Sequence, residues 1–520
     1  MLGAAPASAA TRTVCSGGCD FPTIQTAVNA ASPGDTLDVK PGTYRELVDV
    51  NKRLEIRGPQ ANVDARTRVS AGGGEALLLP DSGAGTPVGF RLTASDATIN
   101  GFRIEGSDGP AIETDPAIAG SRILNNVISG NANGILLNGP PSAITRTFIQ
   151  FNRLDGNNDG DGGPVCPPII PTNKPPAGCG IVSNLGVSNV EISSNLLSGH
   201  RGNGIQIAGP DAPGALSEGI DVVGNKLSDD SGIYFRNARS LNILSNAVLK
   251  PGRVQFSGIT LGGDVNGVII RQNRLIGQAK KQIPRNAADF DLKDAGILVS
   301  NVSGGVPNGQ VQAIGNTITD WRRGIALSGG DGSYAGELKA EFNRIVRNSR
   351  GINNTDPSAT ELIDADNNWW GCNQGPGDDL NRCQNVSQNV NADPWLTLRI
   401  STDKDELGKN GRSTNVLASV LRNSAGDTPL SFFPDRTALG FSATKGRIRK
   451  RARTLNGVAR TLFSTTSRGG SAKISVTLDN ERKRAKVDIS GSGGKGGNGG
   501  NGGNGGNNNR NGDGDGGGDV

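Results

Sequence analysis

Histidine and methionine each occur once in this chain, and aromatic residues make up only 4% of it. One imidazole and one thioether leave too few soft ligands for a copper or zinc centre. So few rings also argue against a thick globular core. No apolar run is long enough to cross a membrane as a helix. Cysteine is sparse as well, with six residues among 520, and these fall as Cys15/Cys19, Cys166/Cys179 and Cys372/Cys383. An even number in close pairs points to short-loop disulfides and an oxidising compartment. Zinc is the competing reading, weakened because the pairs lie in different regions of the chain.

What the chain has in quantity is glycine, 78 residues, and a repeated phrase. Between Ala97 and Asn354 it runs apolar-x-apolar-x-x-Asn-x-apolar, then small residues, then Gly-Ile-x-apolar. The asparagine falls at Asn126, Asn152, Asn195, Asn225, Asn246, Asn273, Asn316 and Asn343, mostly 21 to 30 residues apart. Such a period marks a solenoid whose units cannot bury their apolar face alone. Residues three and five before each asparagine, and two after it, are apolar, as in Val190, Ile192 and Leu197. The Gly-Ile strands repeat the alternation, as in Ile233/Phe235 and Ile325/Leu327. Period-two alternation gives each strand one wall inside and one in water. Three short strands per coil predict an all-β, right-handed, three-sheet parallel β-helix. The asparagines are expected to stack at a bend, each amide bonding the next and each tolerating a left-handed backbone.

Four segments follow. Residues 1–12 (MLGAAPASAATR) end in small residues with an Ala-x-Ala pattern and read as the remnant of a secretory leader. Residues 13–395 hold the β-helix, opened by an amphipathic helix over Phe21–Ser32 that is expected to cap it, since a solenoid exposes its core at each end. Residues 396–490 alternate in short runs separated by turns, as in an antiparallel sandwich. Residues 491–520, almost all Gly and Asn, cannot bury enough apolar surface to fold and are expected to be disordered.

The string IQTAVNAASPGDTLDVKPGTYRE, Ile24 to Glu46, resembles the opening of secreted pectin-lyase-like β-helix proteins of bacterial type, and the repeats resemble those of the same superfamily. The phrases GFSATKGRI, LNGVARTLFSTTSRGGSAKISVTLDN and KVDIS resemble an immunoglobulin-like repeat of the invasin/intimin type. The first resemblance implies a fold rather than an activity, because that superfamily holds lyases, hydrolases, esterases, epimerases, adhesins and spacers. The second implies a stalk or spacer module. The closing segment Asn367-Asn368-Trp369-Trp370 reads as a plug over the last coil, with a sugar-stacking platform as the other reading.

Net charge is +5, but residues 401–490 carry 18 Lys and Arg against 8 Asp and Glu. The runs Lys445–Arg453 and Arg482–Lys486 attract polyanions. On a secreted protein the expected partner is a polysaccharide or another extracellular polyanion, with nucleic acid not expected. The outward column one residue after each asparagine, Arg153, Lys226, Arg274 and Arg344, reads as a basic stripe with no acid in its own column. The candidate site is the bend before the Gly-Ile strands. There Asp229, Asp230, Asp294, Arg322 and Arg323 are the catalytic candidates, and Arg201, Tyr234, Lys293 and Trp321 the substrate-binding ones. Carboxylates beside cations suit proton abstraction from a uronate. Calcium, which takes oxygen ligands, is expected at Asp155, Asp159 and Asp161. The resulting expectation is a secreted or cell-surface polysaccharide-binding protein. A polysaccharide lyase or related carbohydrate-active enzyme is the second reading, and a structural envelope or coat protein the third.

Overall fold

The chain was analysed as a computed structural model, which describes residues 9–68, 74–80, 88–158, 178–208, 217–230, 232–249, 257–278, 294–301, 306–329, 335–355, 363–377, 383–408, 411–430 and 432–490. Residues 1–8, residues 491–520 and Cys166, Asp159, Asp161 and Lys293 lie outside the described residues.

Each repeat contributes three short strands, and like strands of successive coils pair in parallel. The result is a three-sheet parallel β-helix with sheets of 14, 11 and 11 strands. The first sheet begins at Thr11–Val14, the second at Gly42–Tyr44 and the third at Val48–Val50. Register is kept residue for residue, so identical inward positions stack. In the third sheet, Ile181, Ile205, Ile233, Ile259, Ile297 and Ile325 form one column, and all are buried. The helix Ile24–Ala30 places Ile24, Ala27 and Val28 in the same core.

The asparagines hold the register. Each accepts two hydrogen bonds at Oδ1 from the preceding asparagine, one from its backbone N–H and one from its Nδ2. Asn225, for example, donates to Asn246 Oδ1 over 2.9 and 3.0 Å. Each Nδ2 also donates to a carbonyl of the preceding coil, as Asn246 does to Val222 O at 2.8 Å. The ladder is unbroken from Asn126 to Asn368, one rung beyond the sequence repeat. One expectation is corrected: the left-handed residue is the one before each asparagine. Phe151, Ser194, Ser245, Gln272 and Phe342 have φ between 55° and 57°, a geometry that turns the chain so that the amide faces inward.

The Gly-Ile glycines answer a different need. Gly180 and Gly324 do not have positive φ, but a Cβ there would lie 2.5 Å from the carbonyl oxygen of the next coil's glycine. Close approach at the bend, not backbone freedom, therefore excludes a side chain.

Beyond Asn391 the pairing becomes antiparallel, except that Glu406–Leu407 runs parallel to Glu481–Ile489. A four-stranded sheet (Leu396–Thr402, Ser413–Asn423, Val458–Ser464, Arg447–Ile448) faces a five-stranded one (Glu406–Leu407, Glu481–Ile489, Gly470–Leu478, Ala438–Ala443, Arg451–Arg453). Their core includes Phe433, Phe441, Phe463, Ile474 and Val476, and it is continuous with Val346 and Trp369 of the last coils. Asp479 fixes the junction. It takes a salt bridge from Arg344 and a 2.8 Å hydrogen bond from Trp369 Nε1. Trp369 and Trp370 are fully buried, Trp370 inside the β-helix core, so neither indole offers a face to a sugar. Disulfides join Cys15 to Cys19 and Cys372 to Cys383, and Cys179 is also oxidised.

Two outcomes follow. Asn246→Ala leaves Asn225 N–H, Asn225 Nδ2 and Val222 O without their partners, each costing about 1–3 kcal/mol when buried. Urea melting should register a loss of about 4 kcal/mol. Asp479→Ala strands a half-buried guanidinium and a buried indole N–H, a change that costs about 3–5 kcal/mol for a buried pair. Protease cleavage near Leu396 should rise before the β-helix signal melts.

Candidate functional site

The outer face of the second sheet carries charge where the early coils meet. Parallel register sets Arg103, Val127, Arg153 and Leu196 in one column and Glu105, Ser129, Asp155 and Ser198 in the next. Residues two apart on a strand share a face, so Arg103 reaches Glu105 and Arg153 reaches Asp155. Ser129 Oγ donates to Glu105 at 2.8 Å, and Ser198 Oγ donates to Asp155. Arg153 of the basic stripe thus has an acid two residues on, in the adjacent column, whereas Lys226, Arg274 and Arg344 are followed there by Ser228, Ile276 and Val346.

A loop closes one side. Arg68 follows the short turn Ala65–Thr67, donates to Asn125 O at 2.8 Å, and pairs with Glu75 at 3.1 Å. Its burial pulls the guanidinium below its ordinary pKa, and its Nε has no hydrogen-bond partner among the described residues. Arg153 Nη1 in turn donates to Arg68 O at 2.8 Å. Together Arg68, Glu75, Arg103, Ser129, Arg153 and Asp155 line a shallow cleft of about 40 Å³ over Val127. The side chains of Arg103, Glu105, Arg153 and Asp155 are 17–30% exposed, reachable from solvent yet held in place. Donor and acceptor groups alternate along and across the coils, an arrangement that can take both the hydroxyl hydrogens and the hydroxyl oxygens of a polyol. Of the three expected calcium ligands only Asp155 is described, and its carboxylate meets Arg153 and Ser198.

The bend after the second sheet resolves differently from the sequence expectation. Its first residue is left-handed, at Gly130, Gly156, Gly199, Asp229, Asp320 and Arg347. That turns the second residue inward, where Asn131, Asn157, His200, Asp230, Trp321 and Asn348 lie buried. His200 and Asp230 form an internal pair. Asn157 Nδ2 donates to His200 Nε2 at 3.1 Å, and His200 donates to Asp230 Oδ1 from Nδ1 at 2.9 Å and from its backbone at 2.8 Å. Asp230 is thus a rung of a second ladder, parted from exposed Asp229. Trp321 is a core residue with no exposure, and Arg323 is 5% exposed in the third sheet. Tyr234 faces outward but is 6% exposed, and its column neighbours Gln206 and Thr260 are buried too, so this outer wall is itself covered rather than wet. Arg201 and Asp229 are exposed and Arg322 partly so, and the pairing of Ala295 with Arg323 sets Asp294 beside Arg322. The edge keeps charges but loses its aromatics and two of its five catalytic candidates, Asp230 and Arg323.

A separate carboxylate group was not anticipated. Oxygens of Glu341, Asp364 and Asp366 lie within 4.8 Å of one another, and the Lys339 ammonium sits 3.2 Å from Glu341 and 3.4 Å from Asp364. The lysine already supplies a cation to this group. The sequence signal was present in the alternating Lys339, Glu341 and the Asp364/Asp366 pair, one coil apart.

No protein-family model matches the chain, and no curated protein does. Among solved structures it is similar to an alginate lyase from a Paenibacillus species, at 13% identity over 74% of this chain and 99% of that one, with a TM-score of 0.38. It is similar to the enzymatically active domain of bacteriophage CBA120 tailspike protein 2, at 9% identity over 91% and 68%, with a TM-score of 0.39. Over 18% of its length it is similar to a C-terminal fragment of intimin, at 19% identity and a TM-score of 0.15. The chain spans 32% of that fragment. Likenesses this distant carry neither a substrate nor a reaction across. No helix among the described residues is long and apolar enough to cross a membrane.

Burial, then the facing carboxyls of Glu341 and Asp364, push Asp366 up to about 7 from its ordinary 3.8. A raised acid holds its proton in the folded chain after the unfolded chain has lost it, so stability falls as pH rises from about 4 to about 7. Asp366→Asn should flatten that fall, read as Tm against pH beside the parent protein.

Proposed function

We propose that this is an extracellular protein that binds a polysaccharide along the charged cleft over its second sheet. The observation that carries the reading is the set of guanidinium–carboxylate pairs, Arg103–Glu105 and Arg153–Asp155, repeated on alternate coils over one open cleft. Half-exposed pairs of this kind contribute about 0–1 kcal/mol to folding. Their repetition is therefore better explained by what they present than by what they hold together. With rungs about 4.8 Å apart, the two pairs offer a polymer the same donor and acceptor set twice, two rungs apart, as recognition of a chain rather than a single sugar requires. The disulfides support an oxidising, extracellular setting. In this reading the N-terminal helix caps the first coil, and the antiparallel sheets form an immunoglobulin-like module docked on the last coils.

A second reading, hydrolysis, rests on one distance. Glu105 and Asp155 stand two rungs apart, about 9.5 Å by rung spacing, at the upper end of the separation that leaves room for an attacking water between two carboxyls.

Binding of acidic and neutral polysaccharides to the parent chain, Arg103→Ala and Asp155→Asn separates the readings. Each substitution should weaken retention at least tenfold on the preferred polymer while the melting curve stays within about 1 kcal/mol. Retention unchanged in both variants would remove the cleft as the site. Chain shortening abolished by Glu105→Gln or Asp155→Asn would make the protein an enzyme.

A further inference from the structure

The outer face of the five-stranded sheet is a second place where charge collects, and here it is not paired off. Strand alternation buries Leu439, Phe441, Ile474, Val476 and Val487 and turns their neighbours outward. Arg482, Arg484 and Lys486 project from Glu481–Ile489, with Lys473 beside them, and Arg451 and Arg453 project from the far edge strand. Register draws straight rows between the two flanks. Arg482 pairs with Thr477, Thr477 with Gly440, and Gly440 with Arg451. Arg484 pairs with Ser475, and Ser475 with Ser442. Cations thus wall a floor of hydroxyls and one glycine, about 14 Å across at three strand spacings.

Lys473 lies directly across from Lys486, and like charges set opposite on adjacent strands are destabilising. Lys486 is relieved by Asp488, but among the described residues no carboxylate pairs with Lys473, Arg484, Arg451 or Arg453. The fold carries this repulsion without an internal counter-charge, so an external polyanion would relieve it. The floor has no aromatic ring on which a base could stack, which single-stranded nucleic acid binding relies on. Neither does the sheet face present a large apolar side chain for insertion into a membrane. Hydroxyls and a bare backbone at Gly440 instead suit the hydroxyls and anionic groups of a carbohydrate chain.

We propose that this face is a binding site for a linear anionic glycan, separate from the cleft on the β-helix. Two walls of cations flank the polymer while exposed Ser442 and Thr477 meet its hydroxyls; Ser475 is buried and accepts a 3.2 Å hydrogen bond from Arg482.

The full chain is titrated with dextran sulfate and with polygalacturonate, against neutral dextran of the same length and an oligothymidylate. Arg451→Ser/Arg453→Ser and Lys473→Ser/Arg484→Ser are compared with Arg399→Ser/Arg460→Ser, which removes the same charge from exposed positions on the opposite sheet. The expected result is salt-sensitive binding of at least one anionic glycan. Each face double variant should lose at least tenfold, with the slope of log affinity against log salt falling by about one per cation removed. The opposite-sheet variant should keep parent affinity, as should Arg239→Ser, which removes an exposed cation from the β-helix outside its cleft. Equal loss in the opposite-sheet variant would reduce the effect to net charge and overturn the site. Unchanged affinity in both face variants would overturn it as well. Oligothymidylate binding as tight as the glycan would overturn the partner.

Discussion

The shared amide between successive asparagines is the interaction on which the rest of the molecule depends. One Oδ1 accepts two N–H groups from the coil before, and one Nδ2 satisfies a carbonyl that the bend would otherwise leave bare. Each coil is thereby locked to the next at a single point, with no freedom to slip by a residue. A slip would send every apolar side chain outward, because the strand period is two. The isoleucine columns inside and the charge columns outside are both consequences of that lock. Without it, Arg103 and Arg153 would not repeat at rung intervals, and the cleft would have no regular wall.

The second bend shows what happens where the lock is looser in chemistry. One inward position is filled in turn by Asn131, Asn157, His200, Asp230, Trp321 and Asn348. An amide, an imidazole, a carboxylate and an indole all fit, because neighbouring coils adjust around each. The bare positions at Gly258, Gly277 and Gly296 all face the Trp321 ring. His200 and Asp230 hydrogen-bond along the axis as the amides do. Residues that elsewhere carry chemistry serve here as rungs, and a histidine–aspartate pair with no solvent access has no substrate to meet.

Much of this was legible from the chain itself, and the gaps have physical causes. The asparagine spacing and the apolar alternation specified coils, sheets and ladder, since both are strict periodicities. Which of Asp229 and Asp230 faces inward was not legible. Both are polar, and the choice is made by the left-handed φ of the first. Trp321 was misplaced for the converse reason: a large ring among charges reads as an edge residue until the glycines of adjacent coils are seen to clear space for it. Reading Arg153 down its own column hid Asp155, because a strand's face is shared by residues two apart. The docking of the antiparallel sheets through Asp479 had no local signal at all, as it joins residues 110 and 135 positions apart.

The charges on the two parts of the molecule obey different rules, and the difference bears on what each can bind. At the β-helix cleft, Arg103 and Arg153 are matched with acids on the same strand, so that surface has little net field and presents a hydrogen-bond pattern. Such a surface works at high ionic strength, because short paired contacts are screened less than a diffuse charge. On the five-stranded sheet the cations stand largely unmatched and attract from a distance, at a cost that salt removes. In the proposed reading, a polymer drawn in by the second surface reaches the first without the two competing for the same groups. The fused core at Val346 and Trp369 keeps their separation fixed. A chain engaging both would bind the second without a fresh loss of translational freedom, so a rigid junction does here what a flexible stalk would not.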